Sequence, residues 1–364
     1  MKIREIINEI ERVAPLQLQE DFDNAGVQTG DTDWEATGAL ICLDITEAVV
    51  DEAINAGFNL IVSHHPLLFK PLKSLTGRNY IERSVIKALK NDIVIYSAHT
   101  NLDNAADGVN YRLVELFGLE EVRILSPKKN ELIKLVTFAP TDSAENIRKA
   151  LFRAGAGNIG DYSSCSFNVQ GEGTFLASED CNPYRGEIGK LHTEPEIRIE
   201  TVFPEYLKSH VVRALLAVHP YEEPAFDLYR IENEWMQAGS GIIGQLPEWE
   251  DELIFLQRIK DVLNVESLQH SSLTGKRLRS VAICGGSGAF LINDAIAAEA
   301  DIFITGEAKY NDFYNVENKI LLAVIGHFES EICTRDVFLN IISKKFPTFA
   351  VQNSMTNTNP IKYL

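Results

Sequence analysis

The sequence predicts an α/β protein: a duplicated α/β core with mostly parallel sheets, plus an inserted ferredoxin-like α+β domain. Short apolar runs alternate with helical patterns in two outer stretches of the 364-residue chain, and such alternation is typical of a parallel sheet. The middle stretch follows a different order, and polar segments flank it. We therefore expect the two halves of the core at residues 1–127 and 237–364, with the inserted domain at residues 128–236.

The first stretch is predicted to alternate buried strands with helices. Continuous apolar runs favour strands covered on both faces, here Ala39–Leu43, Leu60–Ser63 and Ile93–Ser97. Apolar residues at helical spacing predict helices at Thr46–Ala56, Ile81–Lys90 and Val109–Phe117.

The middle stretch predicts the order β-α-β-β-α-β of a ferredoxin-like domain. We expect its outer strands and its helices at Leu132–Phe138, Ser143–Ala154, Ile197–Phe203, Pro204–Ala217 and Phe226–Ile231. Ser143 is the predicted N-cap of the first helix. A hairpin between Ser163–Val169 and Gly173–Ala177 is expected to turn at Gly171-Glu172-Gly173.

The third stretch returns to the pattern of the first. We expect strands at Ser280–Cys284, Asp301–Thr305, Leu321–Ile325 and Thr348–Val351, and helices at Glu252–Leu263, Ala289–Glu299 and His327–Lys345. An offset of 242 residues places Leu60–Ser63 on Ile302–Thr305, and an offset of 228 places His99 on His327 and Asp103 on Glu331. These matches predict that the core arose by duplication.

Composition limits the partners and the compartment. The formal net charge of -18 disfavours nucleic acid, because sequence-independent affinity for phosphates comes from Lys and Arg. Charges interrupt the apolar residues of positions 1–13, so we expect no secretory signal, and no apolar run has the ~18 residues of a membrane span. The five cysteines form no CxxC pair, which favours reduced thiols and a cytoplasmic protein.

Polar side chains gather just past the carboxyl ends of three predicted strands. His64 and His65 follow the strand Leu60–Ser63, His99 and Asp103 follow the next strand, and His327 and Glu331 follow the strand Leu321–Ile325. Ligands bind at this edge of open α/β sheets. His327 and Glu331 are four residues apart at the start of a helix, so they share a face.

These residue types favour a metal centre. Adjacent side chains in an extended segment diverge, so His64 and His65 suit two neighbouring ions better than one. Mixed nitrogen and oxygen ligands fit Zn, Mn, Fe or Ni better than a Cys-rich structural zinc site. In the alternative interpretation, the same residues cap helices and form hydrogen bonds to loop backbone.

Six motifs resemble, in order, those of the GTP cyclohydrolase type 2 homologue (Nif-three-like) proteins. They are DNAGVQTG (23–30), SHHP (63–66), HTNLD (99–103), CGGSG (284–288), ITGE (304–307) and GHFESE (326–331). The resemblance covers essentially the whole chain, although Phe22 stands where the family often has tryptophan. It implies two divalent metal ions per subunit, held by His64, His65, Asp103, His327 and Glu331.

The middle stretch resembles the domain of the long form of this family, which is similar to the PII and CutA-type proteins. The resemblance rests on residues 155–160, the GEGTF run at 171–175 and the HPYEEP run at 219–224. It implies a ring-shaped homohexamer whose metal sites face an interior cavity. His219 could be a ligand at a second site, but its place before a proline favours a role in shaping a turn.

Three further features have less specific signals. His99 is not expected to bind a metal directly. It is expected to orient a carboxylate or substrate beside the ligands, with a purely structural role as the alternative. Glu307 takes the place of His65 in the second half and is expected to face the metals as a base or water-positioning group. Cys284–Gly288 could bind phosphate through backbone N–H groups, but a tight turn with close packing is favoured.

Two functions from different classes follow. The first is a metal-dependent hydrolase, in which metal-bound hydroxide attacks a nucleotide or related small molecule. The second is a non-enzymatic metal-binding or regulatory ring assembly, whose inserted domain senses a small ligand. A ring that encloses nucleic acid would fit the cavity but conflicts with the charge.

Overall fold

The chain divides into two units, one built from its two ends and one from its middle. The computed structural model describes all 364 residues. Residues 1–126 and 237–364 form the first unit, and residues 127–236 form the second. None of the helices combines the length and the apolar character that crossing a bilayer requires.

The first segment of unit 1 alternates strands and helices as predicted and adds two strands that the apolar pattern does not mark. Its elements are α1 (Ile3–Val13), β1 (Gly26–Thr29), β2 (Ala39–Cys42), α2 (Glu47–Ala56), β3 (Leu60–Ser63), α3 (Tyr80–Lys90), β4 (Val94–Ser97), α4 (Thr100–Asp103), α5 (Val109–Phe117) and β5 (Glu120–Lys128). The unmarked strands, β1 and β5, have only one and two buried positions respectively, so they lack a continuous apolar run.

Unit 2 and the second segment of unit 1, called the returning segment, complete the chain. The elements of unit 2 are β6 (Leu132–Pro140), α6 (Ala144–Arg153), β7 (Phe167–Leu176), β8 (Leu191–Pro204), α7 (Lys208–Val218) and β9 (Phe226–Ile231). The returning segment forms β10 (Trp235–Asp251), α8 (Glu252–Leu263), β11 (Gln269–His270), β12 (Arg277–Cys284), α9 (Ile292–Ala297), β13 (Ile302–Thr305), α10 (Asp312–Asn315), β14 (Leu321–Val324), α11 (His327–Glu331), α12 (Thr334–Lys345) and β15 (Val351–Asn353).

Unit 1 contains two sheets whose central strands are parallel. The first has the order β1-β4-β3-β2-β15, and the second has the order β11-β14-β13-β12-β10-β5. Strands β2, β3 and β4 are parallel in one sheet, and β12, β13 and β14 are parallel in the other. Antiparallel β1 and β11 add the outer strand at the equivalent edge of each sheet.

The two sheets also share their register. Ala39 pairs with Leu60 in the first, and Val281 pairs with Ile302 in the second, which is the offset of 242 residues found in the sequence. The third strands differ slightly, since His99 is the second residue after Ser97 while His327 is the third after Val324. The additional residue is Gly326, whose φ of 98° suits glycine.

The last strand crosses to the other half of the core. Strand β15 was expected at Thr348–Val351 within the second half, but it begins at Val351 and pairs in parallel with β2 of the first sheet. A short strand without a long apolar run carries no sequence signal for its neighbour. Its position ties the end of the chain to the first half.

Buried aliphatic side chains stabilise the central strands of both sheets. Every residue of β2, β3, β4, β13 and β14 is buried. Helices α2 and α3 cover one face of the first sheet with side chains that include Val49, Ala53 and Val85. Each fully buried Val, Leu or Ile side chain contributes ~1.5–3 kcal/mol, so the strand ends that carry the site are held firmly.

The sheet of unit 2 has the order β7-β8-β6-β9, with every neighbouring pair antiparallel. The expected hairpin at Gly171-Glu172-Gly173 is wrong, because these residues lie inside the continuous strand β7 and pair with Glu194–Glu196 of β8. The chain turns instead across residues 177–190, which include Asn182, Pro183, Gly186 and Gly189. Glycines inside a strand can mark a close contact rather than a turn.

Several helix ends also differ from the sequence pattern: α7 begins at Lys208 instead of Pro204, and α9 spans Ile292–Ala297 instead of Ala289–Glu299. The helix expected at His327–Lys345 is broken at Ile332 and Cys333 into α11 and α12. Ser143 occupies the N-cap position of α6, but its hydroxyl donates to Asp142 Oδ1 instead of accepting a backbone N–H. None of these differences moves a candidate site residue.

Candidate metal centre

The site lies where strands of the two sheets end. His64 and His65 follow β3, Asp103 ends α4 just after β4, and α11, which follows β14, carries His327 and Glu331. Turns after parallel strands leave their side chains at a common edge, which explains why distant segments converge. All five side chains that the sequence predicts as metal ligands meet there.

His64 presents a ring nitrogen with no hydrogen-bond partner. The residue is 0% exposed, and its Nδ1 lies 2.9 Å from the carbonyl oxygen of Ala98, to which it donates. Its Nε2 is buried without a hydrogen bond, 3.6 Å from Asp103 Oδ1 and 3.7 Å from Glu331 Oε1. A buried polar atom left unpaired costs ~1–3 kcal/mol, and a cation between these three atoms would supply the missing interaction.

His65 is fixed by a carboxylate that sequence reasoning did not identify. Its Nδ1 lies 2.7 Å from Asp44 Oδ1, and its Nε2 lies 2.9 Å from Glu331 Oε2. Asp44 also accepts a hydrogen bond from the hydroxyl of Thr358. The aspartate thus holds the ring so that Nε2 points to the centre of the site.

His327 follows the same arrangement. Its Nδ1 lies 3.1 Å from Glu307 Oε1, and its Nε2 lies 3.0 Å from Glu331 Oε2. Glu307 in turn accepts a hydrogen bond of 2.6 Å from the hydroxyl of Ser287. Glu307 therefore contacts the outer nitrogen of His327, on the side of the ring away from Glu331.

His99 forms the fourth ring of the cluster. Its Nδ1 lies 2.8 Å from Asp23 Oδ1, and Asp23 also accepts hydrogen bonds from the backbone and hydroxyl of Thr100. The ring centroid of His99 is 5.3 Å from that of His64 and 5.5 Å from that of His65. His99 thus belongs to the same cluster as the predicted ligands.

The four imidazoles share one orientation. Each Nδ1 is engaged by an outer acceptor, either a carboxylate or a backbone carbonyl. The Nε2 atoms of His64, His65 and His327 face Glu331, and those of His65 and His327 approach each other to 3.2 Å. Rings held from outside through one nitrogen are the usual arrangement around a metal ion.

Glu331 lies between the groups of possible ligands. Ligand atoms within 4.8 Å of one another form three groups: His64, Asp103 and Glu331; His65, His327 and Glu331; and His64, His65 and His99. Oε1 of Glu331 is directed towards His64, whereas Oε2 contacts His65 and His327. A buried carboxylate in this position can join two groups of ligands.

Gly286 makes room for that carboxylate. A Cβ at this position would clash with Oε1 of Glu331, and the φ of 60° lies in the left-handed region. In the same turn, the backbone N–H groups of Gly285, Gly286 and Gly288 donate to Asn110, Ser330 and Thr305. These donors are therefore engaged within the protein, and the turn provides close packing rather than a phosphate cradle.

The electrostatics of the cluster are strongly perturbed. Burial acts to raise the pKa of Glu331, but the neighbouring His64, His327 and His65 hold it well below its usual range. Burial and then Glu331 raise the pKa of Asp103 to about 7. Burial acts to lower the pKa of His65, but hydrogen bonds to Asp44 and Glu331 raise it to about 10. Such shifts gather at functional sites.

Two of the functional residues, Asp44 and Asp23, escaped the sequence analysis. Asp44 lies two residues after β2, at the same edge as the histidines, so its position was a usable signal. Asp23 is the first residue of the motif at 23–30, but it lies in a loop before β1, so no strand end assigns it to this edge. His219 lies outside the cluster, and both of its ring nitrogens form backbone hydrogen bonds, with Phe138 and Tyr221.

Comparison with known proteins gives matches over the whole chain. Residues 1–360 match the sequence model of the Duf34/NIF3 (NGG1p interacting factor 3) family. A relative from Halalkalibacterium halodurans named GTP cyclohydrolase 1 type 2 homolog is 37% identical, over 99% of this chain and 98% of its own length. A relative of the same name from Bacillus subtilis is 35% identical, over 99% of this chain and 98% of its own length.

Solved structures give the same result. The crystal structure of a Bacillus cereus protein related to NIF3 matches with a TM-score of 0.87 and 36% identity, over 100% of this chain and 99% of that one. A Staphylococcus aureus protein matches with a TM-score of 0.79 and 29% identity, over 100% of this chain and 99% of that one. Fold and sequence thus agree from end to end.

Proposed function

Because the chain belongs to the Duf34/NIF3 (NGG1p interacting factor 3) family, we propose that its imidazole and carboxylate cluster holds two divalent metal ions and serves a metal-dependent hydrolase. The substrate would be a nucleotide or a related small molecule. One observation carries the proposal: the ring nitrogens of His64, His65 and His327 all point towards the shared carboxylate of Glu331.

The donor set divides naturally between two ions. His64 and Asp103 would hold one ion, His65 and His327 would hold the other, and Glu331 would offer one oxygen to each. Nitrogen and oxygen donors of this kind suit Zn, Mn, Fe or Ni. When bound, such ions would polarise a substrate oxygen and lower the pKa of a coordinated water.

The remaining polar residues have supporting roles. Asp44 and Glu307 hold the Nδ1 atoms of His65 and His327, which keeps each Nε2 directed inward. Glu307 is 54% exposed, so it can also position a water molecule beside His327. The ring of His99, held by Asp23, lies beside those of His64 and His65, where it can orient a substrate.

A cavity beside His327 offers room for a substrate. Its volume is about 670 Å³, and its lining includes His327, Glu307, Phe290, Tyr363 and Lys309. Exposed aromatic rings such as Phe290, which is 67% exposed, can stack on a planar base, and Lys309 can contact a phosphate. Relatives named GTP cyclohydrolase 1 type 2 homolog favour a purine nucleotide among the candidates.

The experiment is a hydrolysis assay with purified, metal-loaded protein and a panel of nucleotides that includes GTP. We expect turnover by the wild-type protein and loss of both turnover and bound metal in Glu331→Gln. Glu329→Gln is the matched control, because Glu329 lies in the same helix but contacts Asn359 instead of the imidazoles. Absence of turnover on every substrate, with full metal content, would overturn the hydrolase proposal.

A non-enzymatic metal-binding or regulatory assembly is the second candidate function. The separate unit formed by residues 127–236 favours it, because this unit has a core and a cavity of its own. The order β7-β8-β6-β9, with α6 and α7 as its helices, supports a ferredoxin-like topology for this insertion into a duplicated core. Metal-loaded protein without turnover, together with ligand effects that survive loss of the metals, would favour this function.

The proposed setting is a ring-shaped homohexamer in the cytoplasm, with metal sites that face an interior cavity. Nucleic acid is disfavoured by the net charge of -18. A mass of six chains in light scattering would support this assembly, and a monomeric mass would contradict it.

A further inference from the structure

A second cavity lies entirely within residues 127–236, and the proposed hydrolase function does not use it. Its volume is about 850 Å³, which falls in the range of small-molecule sites. Strand β7, the segment 180–184 and the HPYEEP segment all contribute to its walls. We propose that this cavity binds a small organic cation that carries an apolar or aromatic body.

Aromatic side chains supply the apolar wall. Phe175, Tyr184 and Tyr221 line the cavity, and the ring centroid of Tyr221 is 6.2 Å from that of Phe175 and 6.4 Å from that of Tyr184. Phe138 adds a fourth aromatic ring to the lining. The faces of aromatic rings attract cations, and several rings around one space are typical of sites for substituted ammonium ions.

A buried carboxylate gives the cavity its charged group. Glu196 lines the cavity and is only 8% exposed, and the hydroxyl of Tyr221 donates to its Oε1 at 2.7 Å. The hydrogen bond from Tyr221 engages Oε1 alone, and the other oxygen, Oε2, forms no hydrogen bond or ion pair. A buried carboxylate with a free oxygen favours a cationic ligand that completes its interactions.

A close contact with Glu196 explains why position 173, in the middle of β7, is a glycine. A Cβ at Gly173 would clash with Oε2 of Glu196, so any larger residue would displace the carboxylate. The run Gly171-Glu172-Gly173 therefore forms an open part of the wall instead of a turn.

The charge of the lining selects among ligands. Five acidic residues line the cavity, namely Glu172, Asp180, Glu196, Glu222 and Glu223, while Arg198 is the one basic residue there. Arg198 is further engaged by Glu200, with 2.9 Å between Nη2 and Oε1. This excess of negative charge disfavours nucleotides and other anions and favours cations.

His219 keeps the site preformed. Its Nε2 donates to the carbonyl oxygen of Phe138 at 2.9 Å, and its Nδ1 accepts from the backbone N–H of Tyr221 at 3.1 Å. The histidine thus fixes the segment that carries Tyr221, and the hydroxyl of Tyr221 fixes Glu196. A preformed site loses less conformational entropy on binding.

The test uses three probes that share a phenyl ring, have similar size and differ in charge: benzylammonium, benzyl alcohol and benzoate. Binding to the full-length protein is measured by ligand-observed NMR titration. We expect millimolar binding of benzylammonium, weaker binding of benzyl alcohol and no binding of benzoate. Equal binding of all three probes, or no binding of benzylammonium, would overturn the proposal.

Two variants locate the site. In Glu196→Gln we expect the affinity for benzylammonium to fall roughly tenfold or more, while that for benzyl alcohol changes little. Glu145→Gln is the matched control, because it removes the same charge from the exposed surface of α6. If Glu196→Gln folds poorly, Tyr221→Phe and Phe175→Leu test the same wall. Unchanged affinity in the folded variants would also overturn the proposal.

Discussion

At the scale of single residues, the proposed metal centre depends on which nitrogen of each imidazole is held from outside. Asp44, Asp23 and Glu307 each engage an Nδ1, and the carbonyl of Ala98 does the same for His64. The positions of the histidines could be predicted from strand ends. The pairing of each ring with its outer acceptor could not be predicted, even though Asp44 also follows a strand end, because a hydrogen bond between distant loops leaves no periodic signal in a sequence.

Asp44 provides a test of this outer support. In Asp44→Asn the ring of His65 keeps its place but loses the charged acceptor on Nδ1. We expect the affinity for Zn²⁺ to fall by roughly 10–100-fold, as for other residues that support metal ligands. Competition with a chromophoric chelator measures the change. Asp51→Asn, which alters an exposed ion pair with Lys87, should leave the affinity unchanged.

Metal binding should release protons. The pKa of His65 is raised to about 10 without metal, so its ring is protonated at neutral pH and must lose a proton before Nε2 can bind an ion. The pKa of Asp103, raised to about 7, adds a second proton below that pH. We therefore expect metal affinity to rise with pH and at least one proton to be released per chain near neutral pH.

Calorimetric titration with Zn²⁺ in buffers of different ionisation enthalpy counts these protons. Proton release that does not decrease in His65→Ala would contradict the assignment. The stability of the metal-free fold depends on pH in the opposite direction to the metal affinity. Because the pKa of His65 is raised, its contribution to stability in metal-free protein is present below about 6.5 and is lost as the pH rises through about 10.

At the scale of secondary structure, buried strands and amphipathic helices were predictable because each follows its own period. Strand β3, α5, α8 and β9 have the predicted bounds. The predictions that were wrong or missing have physical causes. Gly173 of β7 allows contact with Glu196 instead of forming a turn, and the short edge strands β1 and β11 lack an apolar run.

The turn at Gly286 gives a test at this scale. In Gly286→Ala the methyl group would clash with Glu331 and occupy a backbone with a φ of 60°. Gly57→Ala is the matched control, because Gly57 has a φ of 70° and open space around its Cβ position. Both variants should lose ~1–2 kcal/mol in the free energy of unfolding, as expected for alanine in the left-handed region.

Only Gly286→Ala should also lose bound metal, because only there does the added methyl group displace a ligand. Elemental analysis of both variants decides the point. Full metal content in a folded Gly286→Ala protein would show that Glu331 is not held as the structure indicates.

At the scale of the whole molecule, the sequence predicted two related halves, and the structure provides two sheets with the same order of parallel strands. The crossing of β15 to the first sheet was not predictable, since strand patterns do not specify their neighbours. Every predicted metal ligand lies in residues 1–126 or 237–364, which form one unit. The centre should therefore need both ends of the chain but not its middle.

Deletion of residues 127–236 tests this organisation. Strands β5 and β10 are neighbours in the second sheet, so a short Gly-Ser linker can join residues 126 and 237. We expect the shortened chain to fold and to bind the same number of metal ions as the full chain. Loss of metal from a folded deletion variant would contradict the independence of the centre.

In the proposed site, Glu331 would serve two metal ions, one held by His64 and Asp103 and the other by His65 and His327. Anomalous diffraction from crystals of metal-replete protein, recorded at the absorption edge of the metal found by elemental analysis, tests it most directly. We expect two anomalous peaks in each chain, one beside each oxygen of Glu331. A single peak, or peaks away from these side chains, would contradict it.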